Sequence, residues 1–156
     1  MIKLLRVDHR LVHGQVAVSW FNAVGANTIL VANDAVAGDD FRKSAIRLAK
    51  PENAKLVMKS VEDSIAAINS GITDKYKMLI VVESVEDAVA LILGTGDAIT
   101  KLNLGGTKQR GGTKNYSKAI NLTDEEAAKL TSLQQRGCDV SIQMVPSDSA
   151  VEFKAI

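Results

Sequence analysis

Met78-Leu79-Ile80-Val81-Val82 is an unbroken apolar run with no polar residue alternating through it. A strand with one wet face shows a period of two, whereas a strand covered on both faces reads as continuous Val, Ile and Leu. The run is therefore predicted to lie inside a sheet with a layer on each side. Outward from it, further short strand signals fall at 2–7, 28–32, 55–59, 99–104, 118–122 and 140–145. Helix-like segments at 14–23, 40–49, 61–69, 85–93 and 124–136 lie between them. Strand and helix alternating from end to end predict an α/β fold. The expected form is an open, mostly parallel sheet of about seven strands, one antiparallel near the C-terminus, with helices on both faces.

Several helix boundaries have a mechanism. Ser60 and Ser84 each follow a strand and precede two acids, Glu62-Asp63 and Glu86-Asp87. Serine accepts an orphan backbone N–H, and the acids complement the positive end of the helix. Thr123-Asp124-Glu125-Glu126 has capping-box spacing, and Gly137 stands where the last long helix should stop. Pro51 blocks continuation of the second long helix.

The 156 residues suit one domain, 1–156, large enough to bury roughly 70% of its unfolded surface without staples. Nineteen basic against eighteen acidic residues leave a net charge of +1, giving no general drive toward nucleic acid or membrane surfaces. Cys138 is the lone cysteine, so neither an intramolecular disulfide nor a thiolate cluster is expected. The apolar start at 1–5 is cut by Arg6 and Asp8, and no run reaches a membrane span, so the expected location is cytoplasmic.

The first strand leads into Arg6-Val7-Asp8-His9-Arg10-Leu11-Val12-His13-Gly14-Gln15, which contains both histidines of the chain. A neutral imidazole can attack phosphorus, and its ordinary pKa of roughly 6.5 leaves a free nitrogen at neutral pH. A helix start offers unpaired N–H groups and partial positive charge, both suited to a phosphoryl group and unfavourable to imidazolium. Gly14 lets backbone approach phosphate oxygens, with Gln15 beside it in the same helix start. Arg6 and Arg10 can supply forked donors to those oxygens, while Asp8 can hold one ring nitrogen as N–H or orient an arginine. Phosphoryl transfer needs mainly positioning and charge stabilisation, and the cluster offers both. The same residues also admit a plain reading, with surface histidines and an Arg6–Asp8 ion pair worth about 0–1 kcal/mol.

This motif, followed by Trp20, resembles the signature of the IIB components of the mannose/fructose/sorbose family of the phosphoenolpyruvate-dependent sugar phosphotransferase system. The resemblance continues through Asn33-Asp34, Asn103-Leu104-Gly105-Gly106 and Gly137-Cys138-Asp139-Val140 to Val145-Pro146-Ser147-Asp148. It implies a phosphotransferase in which His13 receives phosphate from a IIA phosphohistidine and passes it to a sugar presented by membrane IIC and IID partners. By resemblance Arg10 is the phosphate partner of His13, Asp8 and Arg6 support it, and His9 has no assigned role. The resemblance also implies peripheral association with the inner face of the membrane, leaves a homo-oligomer open, and requires no cofactor, metal or nucleic acid. The rival is a non-enzymatic α/β regulatory or anion-binding module in which His13 merely caps a helix.

Other motifs fall short. Gly106-Thr-Lys-Gln-Arg-Gly111-Gly112-Thr113 imitates a phosphate-binding P-loop but has glycine where the lysine must be. No G-x-G-x-x-G follows the first strand, and His9 and His13 lack the glutamate of a helical zinc site. The stretch 105–115 is expected to be a loop at the ligand-binding edge of the sheet. Its Lys108, Arg110 and Lys114 either add positive potential there or are simply solvated.

Overall fold

Side chains alternate across a strand, so a sheet buried on both faces needs two separate apolar layers. The computed structural model, which describes residues 1–156, has both. Its elements run β1 (Ile2–Asp8), α1 (Gly14–Ala23), β2 (Thr28–Ala32), α2 (Asp34–Ala37), α3 (Asp40–Ala49), β3 (Lys55–Lys59), α4 (Val61–Asn69) and β4 (Met78–Val82). Then follow α5 (Val85–Gly94), β5 (Lys101–Gly106), β6 (Thr113–Ser117), β7 (Ile120–Thr123), α6 (Asp124–Gln135), β8 (Asp139–Ile142) and β9 (Val151–Glu152).

Seven strands form the main sheet in the order β3-β2-β4-β1-β5-β8-β9, parallel except for β9. On one face α4, α5 and α6 close a cluster of 24 buried residues that includes Leu5, Val7, Ile80, Val82, Leu102 and Leu104. On the other, α1, α2 and α3 close a cluster of 12, with Leu4, Ile29, Val31, Leu79 and Val81 from the strands. The smaller layer takes nothing from β5 or β8; its apolar character ends at β1.

The open parallel α/β sheet with one antiparallel strand near the C-terminus is as the sequence predicts. Its seventh strand has a different source. The segment 118–122, read as a strand, contributes β7 to a separate two-stranded sheet with β6, and the two-residue β9 completes the main one. The expected loop at 105–115 is correspondingly shorter, because Gly105 and Gly106 end β5 and Thr113 begins β6. Thr107 fixes this hairpin to the sheet: its hydroxyl donates to the Asn121 carbonyl and accepts from the Asn121 N–H, both at 2.7 Å. No helix is long and apolar enough to cross a membrane.

Winding direction places the site. The helices linking β1 to β2 and β2 to β3 lie on one face, while those linking β3 to β4, β4 to β5 and the β7–β8 step lie on the other. β1 therefore stands between β4 and β5, whose connections leave on the opposite face from its own. A crevice opens beyond the carboxyl ends of strands at such a switch.

Ile80 is fully buried at the sheet centre, so Ile80→Ala should lower unfolding free energy by about 2–5 kcal/mol in urea titrations. Phe41→Ala, on a side chain 84% exposed, should stay within about 0.5 kcal/mol of the unaltered protein. Equal effects at the two positions would contradict this assignment of the core.

Candidate active site

The carboxyl end of β1 turns polar on the α1 side. Leu5 and Val7 point into the large cluster, so Leu4, Arg6 and Asp8 face the smaller one, where the apolar layer gives out. Arg6 is 3% exposed and Asp8 is fully buried. Ionised groups at such depth require partners.

Asp8 has four donors. Its Oδ1 accepts from the Arg10 backbone N–H at 3.0 Å and from Arg10 Nε at 3.3 Å. Its Oδ2 lies 3.1 Å from an Arg6 guanidinium nitrogen and 2.9 Å from His13 Nε2. Burial alone pushes the Asp8 carboxyl up, but the hydrogen bonds from His13 and Arg10 and the charge of Arg6 outweigh it, holding the group below its ordinary value. Asp8 is therefore the anion of the site at neutral pH.

Arg6 is held in turn. Its guanidinium donates to Asn103 Oδ1 and to the Gln143 carbonyl, and it lies 5.2 Å from the centroid of the Trp20 ring. Burial pulls its pKa down and Asp8 opposes the shift. Gly105 makes room for it: a Cβ there would come within 2.1–2.3 Å of the guanidinium. Asn103 is fixed by its own bond to the Gln143 carbonyl at 2.9 Å, and Trp20 Nε1 donates to the Met144 carbonyl at 3.0 Å.

The chain between Asp8 and α1 is a tight turn. Leu11 N–H donates to the Asp8 carbonyl at 2.8 Å, and Leu11 adopts φ of 59°, a costly backbone state for a branched residue. Burial of Leu11 and Val12 in the smaller cluster holds it. Gly14, at φ of 46°, then opens α1.

The start of α1 differs from that of every other helix. Asn33, Asp39, Ser60, Ser84 and Thr123 each cap their helices with a side-chain oxygen and are followed by an acid in the first turn. The α1 N-cap is His13, which makes no side-chain cap bond, and no acid follows. The first intrahelical bond runs from Ala17 N to His13 O, leaving the N–H groups of Gly14, Gln15 and Val16 without protein partners. Gly14 and Gln15 are exposed and the His13 side chain is 25% exposed, so an anion can reach these donors from solvent.

All six expected residues, Arg6, Asp8, Arg10, His13, Gly14 and Gln15, thus meet at one edge. Of the two parts expected of Arg6, support through Asp8 agrees with the structure and direct donation to phosphate oxygens needs correction. Its guanidinium lies behind Asp8 and is committed to it, to Asn103 and to a carbonyl, so it is not presented to a phosphoryl group. Arg10 is presented: its side chain is 47% exposed and only Nε is engaged, leaving both terminal nitrogens free. Of the loop cations, Arg110 pairs with Glu126 and Lys114 with Asp124, while Lys108 has no acidic partner. Sequence reasoning missed the support supplied by Asn103, Trp20 and the Gln143 carbonyl; the one signal was an asparagine inside an otherwise apolar strand run.

Comparisons with known proteins bear on the family and on the fold. The family described as "PTS system sorbose subfamily IIB component" matches residues 2–156. The sorbose-specific EIIB component of Lacticaseibacillus casei is 31% identical over 155 residues, covering 99% of this chain and 94% of that protein. The crystal structure of the N-acetylgalactosamine-specific IIB component 1 from Escherichia coli superposes with a TM-score of 0.91 at 30% identity, covering 99% of this chain and 100% of that one. The E. coli mannose-specific EIIAB component is 28% identical over 98% of this chain, which spans 47% of that protein.

Asp8→Asn should lower stability at pH 7 by about 3–5 kcal/mol, because it leaves the Arg6 charge buried and unpaired. A carboxyl with a lowered folded value stabilises above its unfolded pKa of about 3.9 and loses that contribution as pH falls through the folded value. The gap between unaltered and variant protein should therefore narrow from pH 7 to pH 3 in denaturant titrations. A gap independent of pH would mean Asp8 is not ionised in the folded protein.

Proposed function

Because the chain belongs to the sorbose subfamily of IIB components of the sugar phosphotransferase system, and is therefore a phosphotransferase of sugar uptake, we propose that His13 Nδ1 carries the phosphoryl group in transit. The observation that carries this reading is the pairing of His13 Nε2 with an ionised Asp8, at 2.9 Å, beside an uncapped helix start. Ionised Asp8 can only accept, so Nε2 bears the ring proton and Nδ1 keeps the lone pair.

In the forward step the P–N bond of a donor phosphohistidine breaks as a P–Nδ1 bond forms on His13. The His13 ring keeps its Nε2 proton and becomes positively charged, and the adjacent Asp8 carboxylate stabilises that charge. Phosphoryl oxygens accept from the free amides of Gly14, Gln15 and Val16 and from the terminal nitrogens of Arg10. In the second step a sugar hydroxyl oxygen takes the phosphoryl group, its proton passes to water, and His13 leaves as the neutral imidazole.

The donor is a IIA phosphocarrier, a reading supported by the EIIAB name of the E. coli relative. The sugar is presented by membrane IIC and IID partners to a protein working at the inner membrane face. The whole of 1–156 acts as one phosphocarrier unit.

Incubation with the general phosphotransferase proteins, the cognate IIA and radiolabelled phosphoenolpyruvate should give an acid-labile, alkali-stable label that His13→Ala abolishes. Equal labelling of the two proteins would remove His13 from the reaction. In ¹⁵N-labelled protein, phosphorus should couple to Nδ1; coupling to Nε2 would refute the tautomer assigned through Asp8. Arg10→Ala should slow transfer roughly 10²-fold, as loss of one well-placed charged donor does, while the protein still folds, with a lowered unfolding temperature because Asp8 loses the Nε donor.

A further inference from the structure

A second concave surface adjoins Arg10. A cleft of about 530 Å³ runs from His9 and Arg10 to the β6–β7 hairpin, where Lys108, Gln109, Lys118 and Asn121 line it. Its lining includes three cations and no carboxylate. Lys108 and Lys118 are exposed and neither forms an ion pair, in contrast to Arg110 and Lys114 nearby, which are matched to Glu126 and Asp124 on α6. In a chain whose net charge is only +1, this places two unpaired lysines on the cleft beside Arg10, although on its other side Lys108 borders a hollow that also holds Glu83 and Glu126. The bonds of Thr107 to Asn121 hold the hairpin to the end of β5, so the lysines are carried on a fixed support.

We propose that this cleft is the docking surface for an acidic patch on the phosphorylated donor protein, with Lys108 and Lys118 as its electrostatic contacts. The proposal rests on the reading of His13 as phosphoryl acceptor. Of the two partners that reading requires, the donor arrives bearing a phosphoryl dianion, whereas the acceptor presents an uncharged sugar hydroxyl. A field of unpaired cations at the entrance steers the first, whereas the sugar hydroxyl itself carries no charge for it to attract. Transfer also reverses the attraction. The donor gives up PO₃ and with it negative charge, and the same negative charge appears on His13 beside Arg10, partly neutralising the cleft. Spent donor then meets a weaker field than loaded donor does, which favours its release. No atom or proton beyond the P–N exchange at His13 is involved.

The test compares two phosphoryl donors on the unaltered protein and on Lys108→Glu/Lys118→Glu. Phosphoramidate, a small anionic donor needing no docking surface, should phosphorylate both proteins at His13, with the double variant slowed far less than it is with phosphorylated IIA. Phosphorylated IIA should react with the double variant roughly tenfold more slowly at low salt, by a raised half-saturating concentration rather than a lowered maximal rate. Its rate should also depend less steeply on ionic strength than that of the unaltered protein. Both side chains are exposed, and matching thermal unfolding confirms that the variant is folded. Unchanged kinetics and salt dependence with phosphorylated IIA overturn the docking assignment and leave the His13 reading intact. Failure of both donors to label His13 in the unaltered protein overturns that reading, and the docking proposal with it.

Discussion

One buried carboxylate organises the functional edge of this protein. Asp8 is fully enclosed, and its two oxygens face a guanidinium nitrogen of Arg6, the backbone and side chain of Arg10, and the His13 ring. A charge at that depth is tolerable only if each lone pair has a donor, so the carboxylate dictates where three side chains and one turn of backbone must be. The requirement propagates outward. Arg6 is itself a buried cation with more donors than Asp8 can accept, and the surplus goes to Asn103 on β5 and the carbonyl of Gln143 after β8. The orientation of His13 at the start of α1 thus depends on the register of β1, β5 and β8, through partners 40, 97 and 137 positions apart in the chain.

The two sheet faces divide the work. The face under α4, α5 and α6 has an uninterrupted apolar cluster and supplies the bulk of folding free energy. On the opposite face the apolar layer covers β2, β4 and the start of β1, then stops. The polar group of Arg6, Asp8 and Asn103 occupies positions that a purely stabilising design would fill with leucine or valine. Strain collects at the same place: Leu11 holds a positive φ there, kept by burial of its side chain.

Much of this was legible in the sequence, for physical reasons. The segments 40–49 and 61–69 coincide with helices because caps, acids or breakers mark their ends locally, and 14–23 coincides with α1 although its start has neither cap bond nor acid. Central strands were visible because burial on both faces forces continuous apolar runs. What escaped was too short or too polar to show a periodic pattern. The strand β6, Thr-Lys-Asn-Tyr-Ser, is polar and pairs only through its hairpin, α2 is a single turn, and β9 is two residues long. At the site, motif spacing gathered the right residues at one helix start. It could not show which arginine faces outward, because Arg6 is turned inward by Asn103, a partner 97 positions away.

That inward turn of Arg6 bears on how a carrier should be built. A group that only lodges phosphate must bind it well enough to receive it and loosely enough to give it up, and strong ground-state contacts would raise the barrier to the second transfer. Two arginines gripping the phosphoryl group would favour retention. Here one guanidinium is withdrawn behind Asp8, where it pairs with the carboxylate that faces His13 Nε2, and on the proposed reading the exposed Arg10 and three backbone amides are what remain for the phosphate. Five helices have their first turns satisfied permanently by side-chain caps, while α1 leaves its donors to a passing group. The missing cap and the buried arginine serve one end: they let the site exchange its ligand.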